Sequence, residues 1–280
     1  MRPKSPIVPY IGGKSVIAPR IVEMMPGCKV FVDVLSGAGN LLFEFIRQRG
    51  TGGILAYNDL DGTLVNFMFQ VRDNYWGLVR KLRYTPWSDQ VHHEWLKEMR
   101  ENGWPQDKLE WAARWYWLIH ASYNGHILSG WRHGTTKNTA SEFTRRLQGL
   151  EWYAEKLRHV QISRRDFEEC ISFFDSGDSV LYVDPPYLLE GIHRSHDNYY
   201  GPPFPIEEHR RLARVLNSVK GKVLLSYYPH PLLEELYPKD RWHIVEIPVY
   251  KRSSGKGAGN VKPKATELVL LNYMPPDRLL

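Results

Sequence analysis

Apolar positions along the chain gather into short unbroken runs separated by segments with helical spacing. KVFVDV (29–34), GILAYN (53–58), SVLYV (179–183) and GKVLLSYY (221–228) are bounded by turn-forming residues, the signature of strands buried on both faces. Between them, NLLFEFIRQ (40–48) and IEEHRRLARVLNSV (206–219) place apolar residues on one helical face, and HPLLEELYP (230–238) predicts a short helix. SVIAPRIVEMM (15–25) predicts a helix with Ser15 as N-cap and Pro19 in its first turn. VQISRRDFEECISFF (160–174) runs as strand, turn and helix start, and RWHIVEIPVY (241–250) with KATELVLLNY (264–273) predicts a terminal hairpin. Strands that alternate with helices imply an α/β fold around a largely parallel sheet.

The pattern changes between about 71 and 157. Trp76, Trp87, Trp95, Trp104, Trp111, Trp115 and Trp117 interleave with basic residues, and strand alternation disappears. This stretch is expected to be a mainly helical insertion, so the core comprises 1–70 and 158–280 around an inserted 71–157. LEWAARWYWLIHASY (109–123) is apolar enough to be the insertion's central helix, its aromatic residues forming core rather than a base-stacking platform. NGHILSGWRHGTTKNTASEF (124–143) is rich in small polar residues and carries Arg132 and Lys137, which suits a loop or ribbon that meets phosphates and base edges. LEWYAEKLRHV (150–160) then predicts a helix leading back to the sheet.

At 280 residues and 42% apolar content the chain holds enough material for a large buried core. A formal net charge of +6 and a pI near 9.1 favour a polyanionic partner. Cys28 and Cys170 offer neither a disulfide framework nor zinc-ligand spacing, so both are expected to be buried thiols in a reducing compartment. No apolar stretch approaches membrane-spanning length, and the apolar part of MRPKSPIVPYIGGK is broken by Pro6 and Pro9, unlike a signal peptide. The expectation is a cytoplasmic protein with no membrane association.

Candidate chemistry collects where the apolar runs end. Asp184-Pro185-Pro186-Tyr187 follows SVLYV, at the carboxyl end of a strand, where open α/β sheets bind ligands. The Asp184 carboxylate and the Pro185 carbonyl can each accept one N–H of an exocyclic amine on a planar base. Pro185 and Pro186 hold that carbonyl in a fixed direction, and Tyr187 can stack on the ring. Two acceptors aimed at one amine draw its lone pair out of conjugation, so that it can attack an electrophilic methyl group. Taken alone, the tetrapeptide is equally a strand-ending turn.

Asp33 and the small-residue turn with Gly37 and Gly39 form a strand, glycine loop, helix unit. Asp59 lies about twenty residues further on, where a Rossmann-like unit places the acid that grips a ribose hydroxyl pair. The third fingerprint glycine is replaced by Leu42, which leaves a pyrophosphate without a cradle but suits a nucleoside cofactor that lacks phosphates. S-adenosylmethionine is such a cofactor, and its sulfonium carries a transferable methyl group. Asp166-Phe167, at another strand end, would receive the cofactor's adenine amine and ring. The YIGGKS segment (10–15) is not a P-loop, because the earlier glycine position is Val8. The loop 188–205 is long enough to be a lid; His193 and His196 have no third metal ligand nearby, so no metal is expected. KRSSGKGAGNVKPK (251–264) carries five basic residues and no acid, a stretch suited to a phosphate backbone through Lys251, Arg252 and Lys256.

The order YIGGK, VDVLSGAG, YNDLD, SYNG, SRRDF, DPPY and KATELVLLNY, spread over nearly the whole chain, resembles the Dam-type family of DNA adenine N6-methyltransferases. The resemblance implies a Rossmann-like, S-adenosylmethionine-dependent core, a helical target recognition domain inserted before DPPY, and a target adenine flipped out of double-stranded DNA into the site. Position by position, it implies that Tyr10 packs by the cofactor and that Lys14 contacts it. Asp33, Gly37 and Gly39 would form the cofactor loop, Asp59 the ribose ligand, Asp166 and Phe167 the adenine-moiety pocket, and Asp184 to Tyr187 the catalytic tetrapeptide. Asn124 falls in the matching YNG segment and would face DNA. After Asn124-Gly125 this chain departs from relatives that read GATC, which continue into a Pro-Phe-Gly stretch, so that specificity does not carry over. Two other readings stand beside this one. A cytosine-N4 methyltransferase would use the same amine chemistry, though more often with Ser leading the tetrapeptide; a non-catalytic DNA-binding relative would have lost it. Recognition sequence, oligomeric state and any restriction partner are not written in the sequence.

Overall fold

The computed structural model describes residues 6–9, 14–188, 204–250 and 264–275. Helix α1 (Ala18–Met24) starts later than the sequence suggested: Ile17, not Ser15, is its N-cap, no side chain caps it, and Pro19 lies in its first turn. The fixed φ of Pro19 suits that turn, whose leading N–H groups have no intrahelical partners in any case. Strand β1 (Val30–Asp33) leads through the glycine loop into α2 (Asn40–Arg49), and β2 (Ile54–Asn58) into α3 (Gly62–Asp73), which Asp61 caps through the Thr63 N–H.

Four helices follow: α4 (Tyr75–Tyr84), α5 (Asp89–Asn102), α6 (Lys108–Ala121) and α7 (Thr139–Leu157). The start of α7 corrects the end of the loop expected over 124–143, because 139–143 is helical. Asn138 accepts from the Ser141 N–H and Glu142 lies in the first turn, which makes a regular helix N-terminus out of a polar-looking segment.

The chain then returns through β3 (Val160–Ser163), α8 (Phe167–Phe174), β4 (Ser179–Val183), α9 (Ile206–Leu216), β5 (Lys222–Tyr227) and α10 (Leu232–Leu236) to β6 (His243–Tyr250) and β7 (Lys264–Leu271). The seven strands form one sheet in the order β3-β2-β1-β4-β5-β7-β6. β1 to β5 are parallel, and β7 runs antiparallel between β5 and β6. The expected terminal hairpin is therefore present, with its second strand entering the sheet first.

Each face of the sheet carries its own apolar layer. On one side Val32, Val34, Leu181, Val183, Leu225 and Leu270 meet α8, α9 and α10. On the other, Phe31, Leu55, Tyr182, Leu224, Val269 and Leu271 join a continuous cluster with α1, α2 and α3 that extends into α4, α6 and α7. Trp117, fully buried, is at the heart of the helical part of that cluster. Among the described residues no helix is long and apolar enough to cross a membrane.

Candidate active site

The parallel strands end together, and their last residues and the loops beyond carry the polar groups. β1 and β4 are in register with Asp33 opposite Tyr182, and β1 and β2 with Asp33 opposite Tyr57, so the segments after β1, β2 and β4 leave one edge side by side.

The glycine loop is held from several directions. Ser36 Oγ donates to the Asp33 carbonyl at 2.6 Å, and Tyr57 OH donates to the Gly37 carbonyl at 2.7 Å. The Gly37 N–H donates to Asp59 Oδ2 at 2.7 Å, and the Asp61 N–H to Asp59 Oδ1 at 2.8 Å. Gly39 has φ +67°, a conformation that favours glycine, and a Cβ there would approach the Phe43 ring to 3.0 Å.

Sequence reasoning missed Asn58 as the residue that ties these ends together. Its amide donates to the carbonyls of Val34 and Arg165, both at 3.0 Å, and its Oδ1 accepts from Ser163 Oγ at 2.8 Å and the Arg165 N–H at 2.9 Å. One fully buried side chain thus joins the ends of β1, β2 and β3. A polar residue closing an apolar run next to Asp59 was the available signal.

Charge is concentrated here. Burial, reinforced by Asp184, pushes the Asp33 carboxyl up to about 8 despite the Leu42 N–H. Its Oδ1 is buried with no hydrogen-bond partner among the described residues. Burial likewise pushes Asp59 up to about 6, against the opposing N–H groups of Asp61 and Gly37.

At the end of β4, Lys14 Nζ lies 2.9 Å from Asp184 Oδ1 and 3.2 Å from Glu267 Oε1 on β7. Tyr187 OH lies 3.0 Å from the same Asp184 Oδ1 and in short contact with both Lys14 Nζ and Glu267 Oε1. Lys14 Nζ also stands 4.7 Å from the Tyr187 ring centre, with Tyr228 against the ring at 4.7 Å. Both contacts to Asp184 fall on Oδ1; among the described residues no hydrogen bond falls on Oδ2. Burial raises the Asp184 carboxyl above its ordinary value while Lys14 and Tyr187 restrain it.

The structure brings Lys14, Asp184 and Tyr187 into one cluster and adds Glu267, which sequence reasoning did not single out. The signal was present: Glu267 alternates in line with the buried Val269 and Leu271, where an unpaired acid would be costly. Pro185 is buried and Pro186 half-buried beside them.

Asp166 and Phe167 lie at the end of β3, but other side chains already engage them. Arg211 from α9 pairs with Asp166 Oδ2 at 2.6 Å and Oδ1 at 3.1 Å, and its guanidinium sits 4.1 Å from the centre of the buried Phe167 ring. Asn124 is exposed in a left-handed turn (φ 55°). A Cβ on the adjacent Gly125 would come within 2.2 Å of the Pro9 carbonyl, so this turn sits against the segment leading to Lys14. Lys137 is exposed, whereas Arg132 is half-buried and paired with Glu142 at 3.0 Å. Tyr10, His193, His196, Lys251, Arg252 and Lys256 lie outside the described residues.

A doubly wound sheet with a glycine loop after β1, a carboxylate after β2 and the Asp184-Pro185-Pro186-Tyr187 tetrapeptide after β4 has the Rossmann-like methyltransferase fold. Residues 10–249 match the model of the D12 class of N6 adenine-specific DNA methyltransferases, and the chain belongs to that family. It is 24% identical over 288 residues to the DNA adenine methylase of Escherichia coli (strain K12), covering 98% of this chain and 97% of that one. It is 25% identical to the DNA adenine methylase of Salmonella typhi over the same shares. The DNA N-6-adenine-methyltransferase of Escherichia phage P1 is 24% identical over 278 residues, 94% of this chain and 35% of that protein. This family is adenine-specific, which decides between the amine-methylating alternatives, and it implies use of S-adenosylmethionine.

Proposed function

We propose that the carboxyl edge of the sheet is the catalytic site at which the N6 amine of an adenine, flipped out of double-stranded DNA, is methylated. The observation that carries this reading is the asymmetric hold on Asp184: Lys14 and Tyr187 engage Oδ1, while Oδ2 accepts no hydrogen bond among the described residues. Oδ2 and the Pro185 carbonyl would accept the two amine hydrogens, which localises the lone pair on nitrogen. As the N–CH3 bond forms, the nitrogen must shed a proton, and Asp184 Oδ2 is the acceptor at hand.

The residues also fit the methyl donor. A buried carboxylate oxygen without a partner among the described residues, Asp33 Oδ1, suits a cationic amino group, and the Asp59 carboxylate, braced by two backbone N–H groups, suits a ribose diol. S-adenosylmethionine, when bound, would supply an electrophilic methyl on a sulfonium, whose sulfur would keep the S–CH3 bonding pair and leave as a neutral thioether. Asp166 and Phe167 would serve its adenine moiety with Arg211 as their support. The helical block 71–157 would meet the target sequence through Asn124 and Lys137, with Arg132 bracing α7 through Glu142. The basic stretch with Lys251, Arg252 and Lys256 would meet phosphates, in a cytoplasmic setting.

Duplex DNA incubated with the protein and methyl-labelled S-adenosylmethionine, then digested to nucleosides, tests this directly. Label is expected in N6-methyladenosine; label in N4-methylcytidine, or none at all, would overturn the reading. RNA treated in the same way should remain nearly unlabelled.

A further inference from the structure

Glu267 is a buried acid on a strand whose same-face neighbours, Val269 and Leu271, are core residues. It is 3% exposed. A carboxylate in such a place is strongly destabilising unless paired and hydrogen-bonded. Its partners are Lys14 Nζ and Tyr187 OH, the same two groups that engage Asp184 Oδ1. Two carboxylates therefore compete for one ammonium and one phenolic proton. Tyr187 has a single hydrogen to donate and both carboxylates within its reach, so Asp184 and Glu267 share it.

We propose that Glu267 is a positioning residue for methyl transfer: it draws off part of the charge of Lys14 and part of the Tyr187 hydroxyl's donation, so that Asp184 stays a strong acceptor for the amine and its departing proton. The proposal rests on the catalytic reading of Asp184 given above. Without Glu267, Lys14 would spend its whole charge on Asp184, and a fully neutralised carboxylate polarises an N–H more weakly. Glu267 also fixes the Tyr187 ring by its hydroxyl end, which sets the plane offered to a base.

The directions of the proton affinities agree. Burial works to lower the Lys14 pKa, but Asp184 and Glu267 together hold it above its ordinary value, so Lys14 stays charged. Burial raises Glu267, Lys14 and Tyr187 oppose that rise, and Asp184 adds to it. Among the described residues the other ionisable groups around Asp184 are Asp33 and the tyrosines Tyr182, Tyr227 and Tyr228, all three of which burial keeps protonated. Asp33 owes its shift to burial, Asp184 and Asp59, so its titration is independent of a direct pairing with Glu267.

The test is single-turnover methyl transfer by Glu267→Gln across pH, with duplex and cofactor affinities measured alongside. The amide preserves shape and an acceptor oxygen but removes the charge. The expected result is a rate about 10-fold lower, affinities changed less than about 3-fold, and an acidic limb moved about one pH unit down, because Asp184 then holds its proton less tightly. Glu267→Asp keeps the charge and should restore the wild-type limb while the rate recovers only in part. An unmoved limb in Glu267→Gln, or equal rate losses in both variants with both limbs unmoved, would make the residue merely structural and overturn the proposal. If Glu267→Gln yields no folded protein, Glu267→Asp decides alone: a rate loss with intact affinities supports positioning, and an unchanged rate overturns it. Asp184→Ala run in parallel separates the two levels of the argument. Near-normal turnover in that variant defeats the reading of the site, whereas an inactive Asp184→Ala beside an unmoved Glu267→Gln limb defeats only this inference.

Discussion

The carboxyl edge of the sheet and the helical layer of α4 to α7 bury side chains with opposite results. In the helical layer Trp87 meets Trp117 at 5.3 Å, Trp131 at 5.3 Å and Phe143 at 4.8 Å, and Trp95 meets Trp117 at 5.3 Å. Burial there gains apolar transfer and dispersion energy and leaves few charges to satisfy. At the sheet edge Asp33, Lys14, Glu267 and much of Asp184 are removed from water, and burial lifts Asp33 to about 8. That region opposes folding and strengthens every electrostatic contact made inside it. On the proposed reading of the site, stability and chemistry are thus located in different parts of one molecule.

The comparison can be broken from either side. The largest effect is expected from Asp184→Ala: turnover should fall by ~10²-fold or more with little change in DNA affinity, in line with loss of a preorganised electrostatic partner. Thermal denaturation of the same variant should show no comparable loss of stability, because Lys14 keeps Glu267 and Tyr187 as partners; a variant that simply unfolds would erase the distinction.

Trp117→Ala is the converse. Truncating this fully buried ring should destabilise by about 3–5 kcal/mol while the folded fraction, measured by single turnover below its midpoint, keeps its rate. A selective loss of rate with unchanged stability would mean that the helical layer does chemistry.

Asp33→Asn sharpens the contrast in one residue. The folded carboxyl titrates near 8 against an ordinary 3.8, so between those values the folded state holds a proton that the unfolded chain releases. Stability contributed by this group therefore falls as pH rises from about 4 to 8, and the amide removes that slope. At pH 8 the variant should be more stable by roughly 1–3 kcal/mol, yet bind S-adenosylmethionine about 10- to 100-fold more weakly, because an amide cannot pair with its cationic amino group. Denaturant melts at pH 5 and pH 8 with calorimetric binding check both halves; equal destabilisation at both pH values would refute the buried-acid account.

The smallest effect belongs to neither region. Alanine at Lys251, Arg252 and Lys256 should weaken binding to all duplexes alike and flatten the salt dependence by about 0.9 log unit for each phosphate no longer neutralised. An unchanged slope would remove this stretch from the DNA-facing surface.

Local pattern made the strands and their ends legible. The apolar runs stop at Asp33, Asn58 and Val183, and each stop carries or precedes a polar residue of the candidate site, because the apolar pattern that marks a strand is local. The terminal hairpin was legible for the same reason. The first half of α7 was not, since Thr139, Ser141 and Glu142 resemble a polar loop until Asn138 is recognised as their cap. Arg132 looked like an exposed cation and is instead paired with Glu142, a partner one helix turn into α7.

The sequence by itself therefore determined the strands, most of the helices, and which carboxylates stand at strand ends, all properties of near neighbours along the chain. Tertiary structure alone decided the partners. It put β7 between β5 and β6, turned Glu267 toward Lys14, gave Asp166 to Arg211, and left one oxygen of Asp184 unengaged among the described residues. Backbone periodicity says which face a side chain takes. Which distant charge answers it depends on the order of strands in the sheet, and that order is set by burying both faces at once.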